Sequence, residues 1–114
     1  MKELLKSKIH KAIVTQADLN YVGSITIDET LIKKSGLWEG QKVLVVSNTS
    51  GARMETYVIR GKKDSGVICM NGAASHLIKK GEEIIIMGFE ISSKPVKRKS
   101  ILVDKNNKFK KHLE

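Results

Sequence analysis

Short apolar runs separated by turn residues dominate the chain. The runs are rich in isoleucine and valine, and glycine, asparagine, aspartate and serine separate them. Their lengths are typical of strands, and the turn sequence NTSG between two of them predicts a hairpin. The predicted strands cover residues 9–15, 24–27, 43–47, 53–59, 67–70, 83–89 and 101–103.

Two short helices are predicted between these strands. Asp28 is a favourable helix N-cap and Gly36 a left-handed stop, so the segment ETLIKKS between them is predicted to be helical, with Leu31 and Ile32 facing inward. NGAASHLIKKG predicts a turn followed by a single helical turn. Because no long helices alternate with the strands, the pattern predicts an all-β fold, a small closed or nearly closed β-barrel. Isoleucine and valine occur on both faces of the predicted strands, in larger number than one small core can bury. We therefore expect contacts with other copies of the chain.

The length of 114 residues predicts one domain, a single barrel spanning residues 1–114. The basic segment SSKPVKRK, which holds the only proline, predicts a loose C-terminal tail from about residue 91. No apolar run approaches the roughly 20 residues of a membrane span, and the first residues lack the apolar stretch of a signal peptide. We therefore expect a cytoplasmic protein without a membrane partner.

The formal net charge of +9 raises nucleic acid as a possible partner. The positive charge is concentrated near the chain ends, aromatic residues are only 4%, and no helix-turn-helix, zinc-finger or RNP pattern occurs. A positive field also attracts a small dianionic substrate. We expect no nucleic acid, and a non-enzymatic basic β-barrel that binds nucleic acid is the alternative.

Most common catalytic patterns are missing from the sequence. His10, His76 and His112 are scattered without a second ligand at metal-binding spacing, so we expect no metal. No glycine-rich phosphate loop occurs. The single cysteine, Cys69, is expected to be a buried packing residue.

What remains is a set of polar residues within the predicted strands. Lys8 and His10 share a strand face, as do Arg53 and Tyr57, with Thr56 on the opposite face. Each pair alone is typical of an ordinary solvent-facing surface. The full set is Lys8, His10, Tyr21, Gly23, Ser24, Arg53, Thr56, Tyr57 and Asn71.

Three motifs make the sequence similar to one family. KIHKAIVTQADLNYVGSITID, GARMETYVI and NGAASH occur in the order and at the spacing of the aspartate 1-decarboxylases, small pyruvoyl-dependent enzymes that make β-alanine for pantothenate and coenzyme A. The resemblance runs from about residue 6 to residue 89. It implies a double-psi β-barrel, L-aspartate as substrate, and a homotetramer with its sites between subunits.

The resemblance also implies that the chain cuts itself between Gly23 and Ser24, giving fragments 1–23 and 24–114. The Ser24 hydroxyl would attack the Gly23 carbonyl, and elimination and hydrolysis would leave a covalent pyruvoyl group, the cofactor. Thr56 would donate to the transient oxyanion. Because Thr56 is predicted on the face opposite Tyr57, either the strand bulges there or the two residues serve different steps or different subunits' sites.

The remaining roles are likewise implied by the resemblance. The substrate amine would form a Schiff base with the pyruvoyl ketone, and Tyr57 would protonate the carbanion-like product of CO2 loss. Arg53 would clamp the side-chain carboxylate through its bidentate fork. Lys8 would be the second cation and His10 would orient or shield charge. Both cations favour an acidic substrate without distinguishing aspartate from glutamate. The expected pocket lining is Asn71, Gly72, Ala73 and Ala74.

Overall fold

The apolar runs become the strands of one nine-stranded sheet in the computed structural model, which describes residues 1–113. Strands dominate and both helices are short, which confirms the predicted all-β class. The elements are β1 (Lys2–Ile13), β2 (Gln16–Asp18), β3 (Ser24–Asp28), α1 (Glu29–Ser35), β4 (Lys42–Ser47), β5 (Arg53–Gly61), β6 (Ile68–Asn71), α2 (Ala74–Leu77), β7 (Glu83–Ser92), β8 (Lys99–Val103) and β9 (Phe109–Leu113).

The strand order is β2-β6-β3-β5-β4-β7-β1-β8-β9. Three of these pairs are parallel, namely β2 with β6, β3 with β5, and β1 with β8, and the others are antiparallel. Alternate side chains along the long strands fill one core, and burying each isoleucine contributes roughly 1.5–3 kcal/mol. Fully buried members of this core are Ile9, Ile25, Ile27, Val45, Val58, Ile68, Met70, Ile84, Ile86 and Ile101. Neither helix is long and apolar enough to cross a membrane, within residues 1–113.

Helix α1 begins and ends where the sequence predicts. The Asp28 carboxylate accepts a hydrogen bond from the Thr30 backbone N–H at 2.9 Å, and Gly36 closes the helix with a φ of 77°. The same carboxylate also accepts from the backbone N–H groups of Asp64 and Gly66, at 2.9 and 2.8 Å. Asp28 therefore caps the helix and fastens the loop between β5 and β6.

The C-terminal segment differs from the predicted loose tail. Strand β8 pairs in parallel with β1, and Ile101 is fully buried. The buried Asn107 side chain accepts from the Ile13 N–H at 2.7 Å and donates to the carbonyls of Ile13 and Gly66, at 2.8 Å each. Residues 99–113 are thus part of the fold. Their charged side chains lie on the solvent side of an edge hairpin, while their apolar side chains enter the core.

Candidate active site

The first residue of β3, Ser24, lies between two neighbouring strands. On one side it pairs antiparallel with Asn71 of β6. On the other, the parallel pairing of Ile25 with Val58 begins one residue later, which places Ser24 level with Tyr57 of β5. The register of three strands therefore brings together residues that are far apart in the sequence.

An open cleft of about 420 Å³ lies at this end of β3. Seven of the residues singled out in the sequence line it, together with Val22, Met54 and Glu55. Ser24 itself is fully buried at the cleft floor, whereas Tyr57 is 40% exposed. The seven are Gly23, Ser24, Thr56, Tyr57, Asn71, Ala73 and Ala74.

The Asn71 side chain holds the Ser24 hydroxyl. Its Nδ2 donates to Ser24 Oγ at 2.7 Å and to Thr26 Oγ1 at 2.9 Å. Its Oδ1 accepts from the Cys69 thiol at 3.1 Å. The contact from Ser24 Oγ to the Val22 carbonyl is 3.5 Å, too long to compete. The buried hydroxyl is therefore fixed mainly by a neutral amide donor.

Two of these contacts were missed by the sequence analysis. Cys69 is buried as predicted, but no polar role was predicted for it. The period-two rule gives part of the signal, because it places Thr26 on the face of Ser24 and Cys69 on the face of Asn71. Only the pairing of β3 with β6 brings those faces side by side.

Gly72 packs directly behind the segment that precedes Ser24. Its φ is +65°, and a Cβ built there would lie 2.9 Å from Gly23 Cα, Gly23 N and the Tyr21 carbonyl oxygen. Such distances are excluded for real side chains, so the close approach requires glycine. The Gly72 N–H also donates to the Asp18 carbonyl at 2.8 Å.

Gly23 is in a different situation. Apart from its neighbours in the chain, no residue of the described range 1–113 has an atom within 4 Å of the position that its Cβ would take, and its backbone is not left-handed. The residue is exposed at a bend. In the folded, uncut chain there is thus space for a side chain at position 23.

Thr56 and Tyr57 both line the cleft although they point to opposite faces of β5. The ladder with β4 runs from Lys42–Tyr57 to Val46–Arg53 without a register shift, so β5 does not bulge there. This part of β5 flanks the cleft with its edge, because the pairing with β3 starts only at Val58. A strand edge exposes both faces to the same cleft.

Lys8 and Arg53 lie elsewhere, on the outside of the β1–β7–β4–β5 part of the sheet. Lys8 pairs with Met87, and Arg53 pairs with Val46 across the hairpin. The two cations therefore flank a patch of half-buried apolar side chains, which we name the outer face. It consists of Leu44, Val46, Ile85 and Met87.

His10 borders the same outer face at a bulge in β1. His10 and Lys11 together lie opposite Ile85, and Lys11 takes a left-handed φ of 68°. Burial lowers the pKa of His10, and the charges of Lys8 and Lys11 lower it further. These effects favour the neutral ring, and its Nδ1 is buried without a hydrogen-bond partner in residues 1–113.

Comparisons with known proteins agree on one family. The family model described as aspartate decarboxylase matches residues 1–110. A relative named aspartate 1-decarboxylase from Clostridium botulinum is 55% identical over 111 residues, covering 94% of this chain and 90% of its own. Relatives of the same name from Caldicellulosiruptor saccharolyticus and Neisseria meningitidis are 51% and 49% identical over 113 residues, covering 96% of this chain and 88% and 89% of theirs. The matches include both the cleft and the outer face.

Proposed function

Because this chain belongs to the aspartate decarboxylase family, we propose that it is a self-processing, pyruvoyl-dependent enzyme that converts L-aspartate to β-alanine and CO2 for pantothenate and coenzyme A synthesis. The observation that carries the proposal is the buried Ser24 hydroxyl, held by Asn71 at 2.7 Å on the floor of a cleft, directly after Gly23. The family match does not favour the alternative, a non-enzymatic barrel that binds nucleic acid.

Self-processing starts with attack of Ser24 Oγ on the Gly23 carbonyl carbon. The C–N bond breaks, the Ser24 nitrogen takes up the hydroxyl proton, and an ester joins the two residues. Loss of the Ser24 Cα proton and cleavage of the Cβ–Oγ bond then release the Gly23 carboxylate. Water hydrolyses the resulting dehydroalanine, and ammonia and a ketone remain.

Two polar side chains in the cleft suit these steps. The Asn71 N–H donated to Ser24 Oγ stabilises charge on that oxygen during attack and again during elimination. Thr56 lines the same cleft as Gly23, and its hydroxyl can donate to the oxyanion that forms on the Gly23 carbonyl.

The site also suits the pyruvoyl group. The small side chains of Ala73 and Ala74 line the same cleft as Ser24, and Gly72 packs against Gly23, so small residues surround the position of the ketone. When present, such a ketone supplies the electron sink for loss of a carboxylate. Tyr57 is half exposed at the same cleft, where its phenol can donate a proton and regain one from solvent.

The substrate carboxylates need cations that this cleft does not supply within one protomer. Among its lining residues only Glu55 is charged, and it is acidic. The outer face is bordered instead by Arg53, Lys8 and His10. We therefore place the outer face of one copy against the cleft of another, in a homotetramer with sites between subunits. Burial of the apolar outer face favours this assembly, and sedimentation at a monomer's mass would contradict it.

The activity is tested by incubating the purified chain with L-aspartate and measuring β-alanine and CO2. We expect equal amounts of both products from the parent protein and none from Ser24→Ala, the matched control that lacks only the hydroxyl. L-Glutamate, with one more methylene, tests the substrate assignment. A cut chain that forms no β-alanine would contradict the proposed activity.

A further inference from the structure

The amide of Asn71 is hydrogen-bonded on all of its sides. Both N–H bonds of Nδ2 have hydroxyl acceptors, on Ser24 at 2.7 Å and on Thr26 at 2.9 Å. The Oδ1 accepts from Cys69 Sγ at 3.1 Å. The other acceptor near this thiol, the Met70 carbonyl, is 4.0 Å away. Cys69 and Asn71 are both buried, so water does not compete strongly for these contacts.

Only one of the three partners determines which way the amide faces. A hydroxyl donates and accepts equally well, so Ser24 and Thr26 tolerate either orientation of Asn71. A thiol is a weak donor and a weak acceptor, and here the sulfur lies 3.1 Å from Asn71 Oδ1, so Cys69 favours the oxygen on its side. Burial raises the pKa of the Cys69 thiol, and the charge of Asp18 raises it further, so the thiol keeps the proton that it donates.

The orientation matters for the Ser24 hydroxyl. In the observed arrangement Ser24 Oγ accepts from Asn71, and the acceptor nearest its own proton is the Val22 carbonyl at 3.5 Å, too long to hold that proton during attack. With the amide reversed, that proton would be held by Asn71 Oδ1, and no donor would remain to stabilise charge on Oγ. The observed orientation favours the acyl shift and the reversed one opposes it.

We infer that Cys69 is a positioning residue for self-cleavage, because its thiol fixes the Asn71 amide that prepares the Ser24 hydroxyl. This inference rests on the proposed function and adds a residue to its machinery. Cys69 does not touch the reacting atoms and acts only through Asn71.

The test compares cleavage rates of variants that keep or remove the donor. Chains are refolded, and the loss of intact chain is followed by denaturing mass spectrometry. Cys69→Ala removes the thiol, and we expect cleavage about five- to tenfold slower, as for loss of one hydrogen bond. Cys69→Ser keeps a donor at the same place, but its hydroxyl also accepts and so does not fix the amide; it should cleave more slowly than the parent and faster than Cys69→Ala.

A double-variant cycle separates positioning from a general loss of structure. If Cys69 acts through Asn71, Cys69→Ala should slow the Asn71→Ala chain no further. The same substitutions in a Ser24→Ala background, which stays uncut, report folding stability by urea unfolding. Equal rates for the parent and Cys69→Ala, or additive slowing in the double variant, would overturn the inference alone. A parent chain that never cuts itself would overturn the proposed function as well.

Discussion

Replacing Gly72 with alanine perturbs the cleavage segment directly. The new Cβ would lie 2.9 Å from two backbone atoms of Gly23 and from the Tyr21 carbonyl oxygen, and no side-chain rotation can relieve that contact. A left-handed alanine costs about 1–2 kcal/mol, and crowding a packed site costs about 1–3 kcal/mol more. We expect Gly72→Ala to lower the free energy of unfolding by about 2–5 kcal/mol.

The expected effect on self-cleavage is larger. The residues that must move include Gly23, whose carbonyl carbon is the target of Ser24 Oγ. A misplacement of about 1 Å in reacting groups can cost on the order of 100-fold in rate. We therefore expect Gly72→Ala to cut itself on the order of 100-fold more slowly, followed as loss of intact chain on denaturing gels.

Gly81→Ala is the matched control for this prediction. Gly81 is also left-handed, with a φ of +91°, but among the described residues only its chain neighbours come within 4 Å of its Cβ position. Gly81→Ala should lower the free energy of unfolding only by the cost of a left-handed alanine, about 1–2 kcal/mol, and it should cut itself at the parent rate. Both unfolding energies are measured in the uncut Ser24→Ala background. Equal losses and equal cleavage rates for the two variants would refute the reasoning.

The remaining predictions concern substrate binding, turnover and acid stability. Arg53→Lys should cut itself normally, while kcat/KM for aspartate falls because the bidentate fork is lost; the fall corresponds to a loss of transition-state stabilisation on the order of 1.5–3 kcal/mol. An unchanged kcat/KM would exclude a carboxylate clamp at Arg53. Tyr57→Phe should cut itself normally and turn over about 10²–10⁴-fold more slowly. Borohydride with aspartate should still label fragment 24–114. A variant that turns over at the parent rate would show that another group donates the proton after CO2 loss. Hydrogen bonds, chiefly from the Ser47 hydroxyl, lower the pKa of the buried Glu82 below 4.5. This stabilisation is fully present above pH 4.5 and is lost as the pH falls through the lowered value. We therefore expect Glu82→Gln to reduce the pH dependence of the free energy of unfolding in urea in that window. Identical pH profiles for the parent and the variant would show that Glu82 does not cause this dependence.

Local signals predict the elements of this fold that depend on few residues. Asp28 and Gly36 define helix α1 through capping chemistry, and NTSG defines the β4–β5 hairpin. Strands β2 and β9 were missed because β2 is short and β9 is a charged edge strand with little buried surface. Their existence depends on partners distant in the sequence, β6 and β8.

The same distinction applies to the candidate site. Motifs predicted Ser24 and Tyr57, and alternation correctly placed Lys8 and His10 on one face of β1. Alternation could not show that Thr56 reaches the cleft from the opposite face of its strand, since that depends on where β3 begins to pair. It also could not show the contact of Asn71 with Ser24, which requires the register between β6 and β3.

The central claim is self-cleavage between Gly23 and Ser24, and the mass of the purified chain under denaturing conditions tests it most directly. We expect two fragments, 1–23 and 24–114, with the larger one blocked to N-terminal sequencing because a pyruvoyl group has no amine. Ser24→Ala should give one intact, folded chain. A single uncut mass for the parent, or a free Ser24 amine as the only product, would contradict the account.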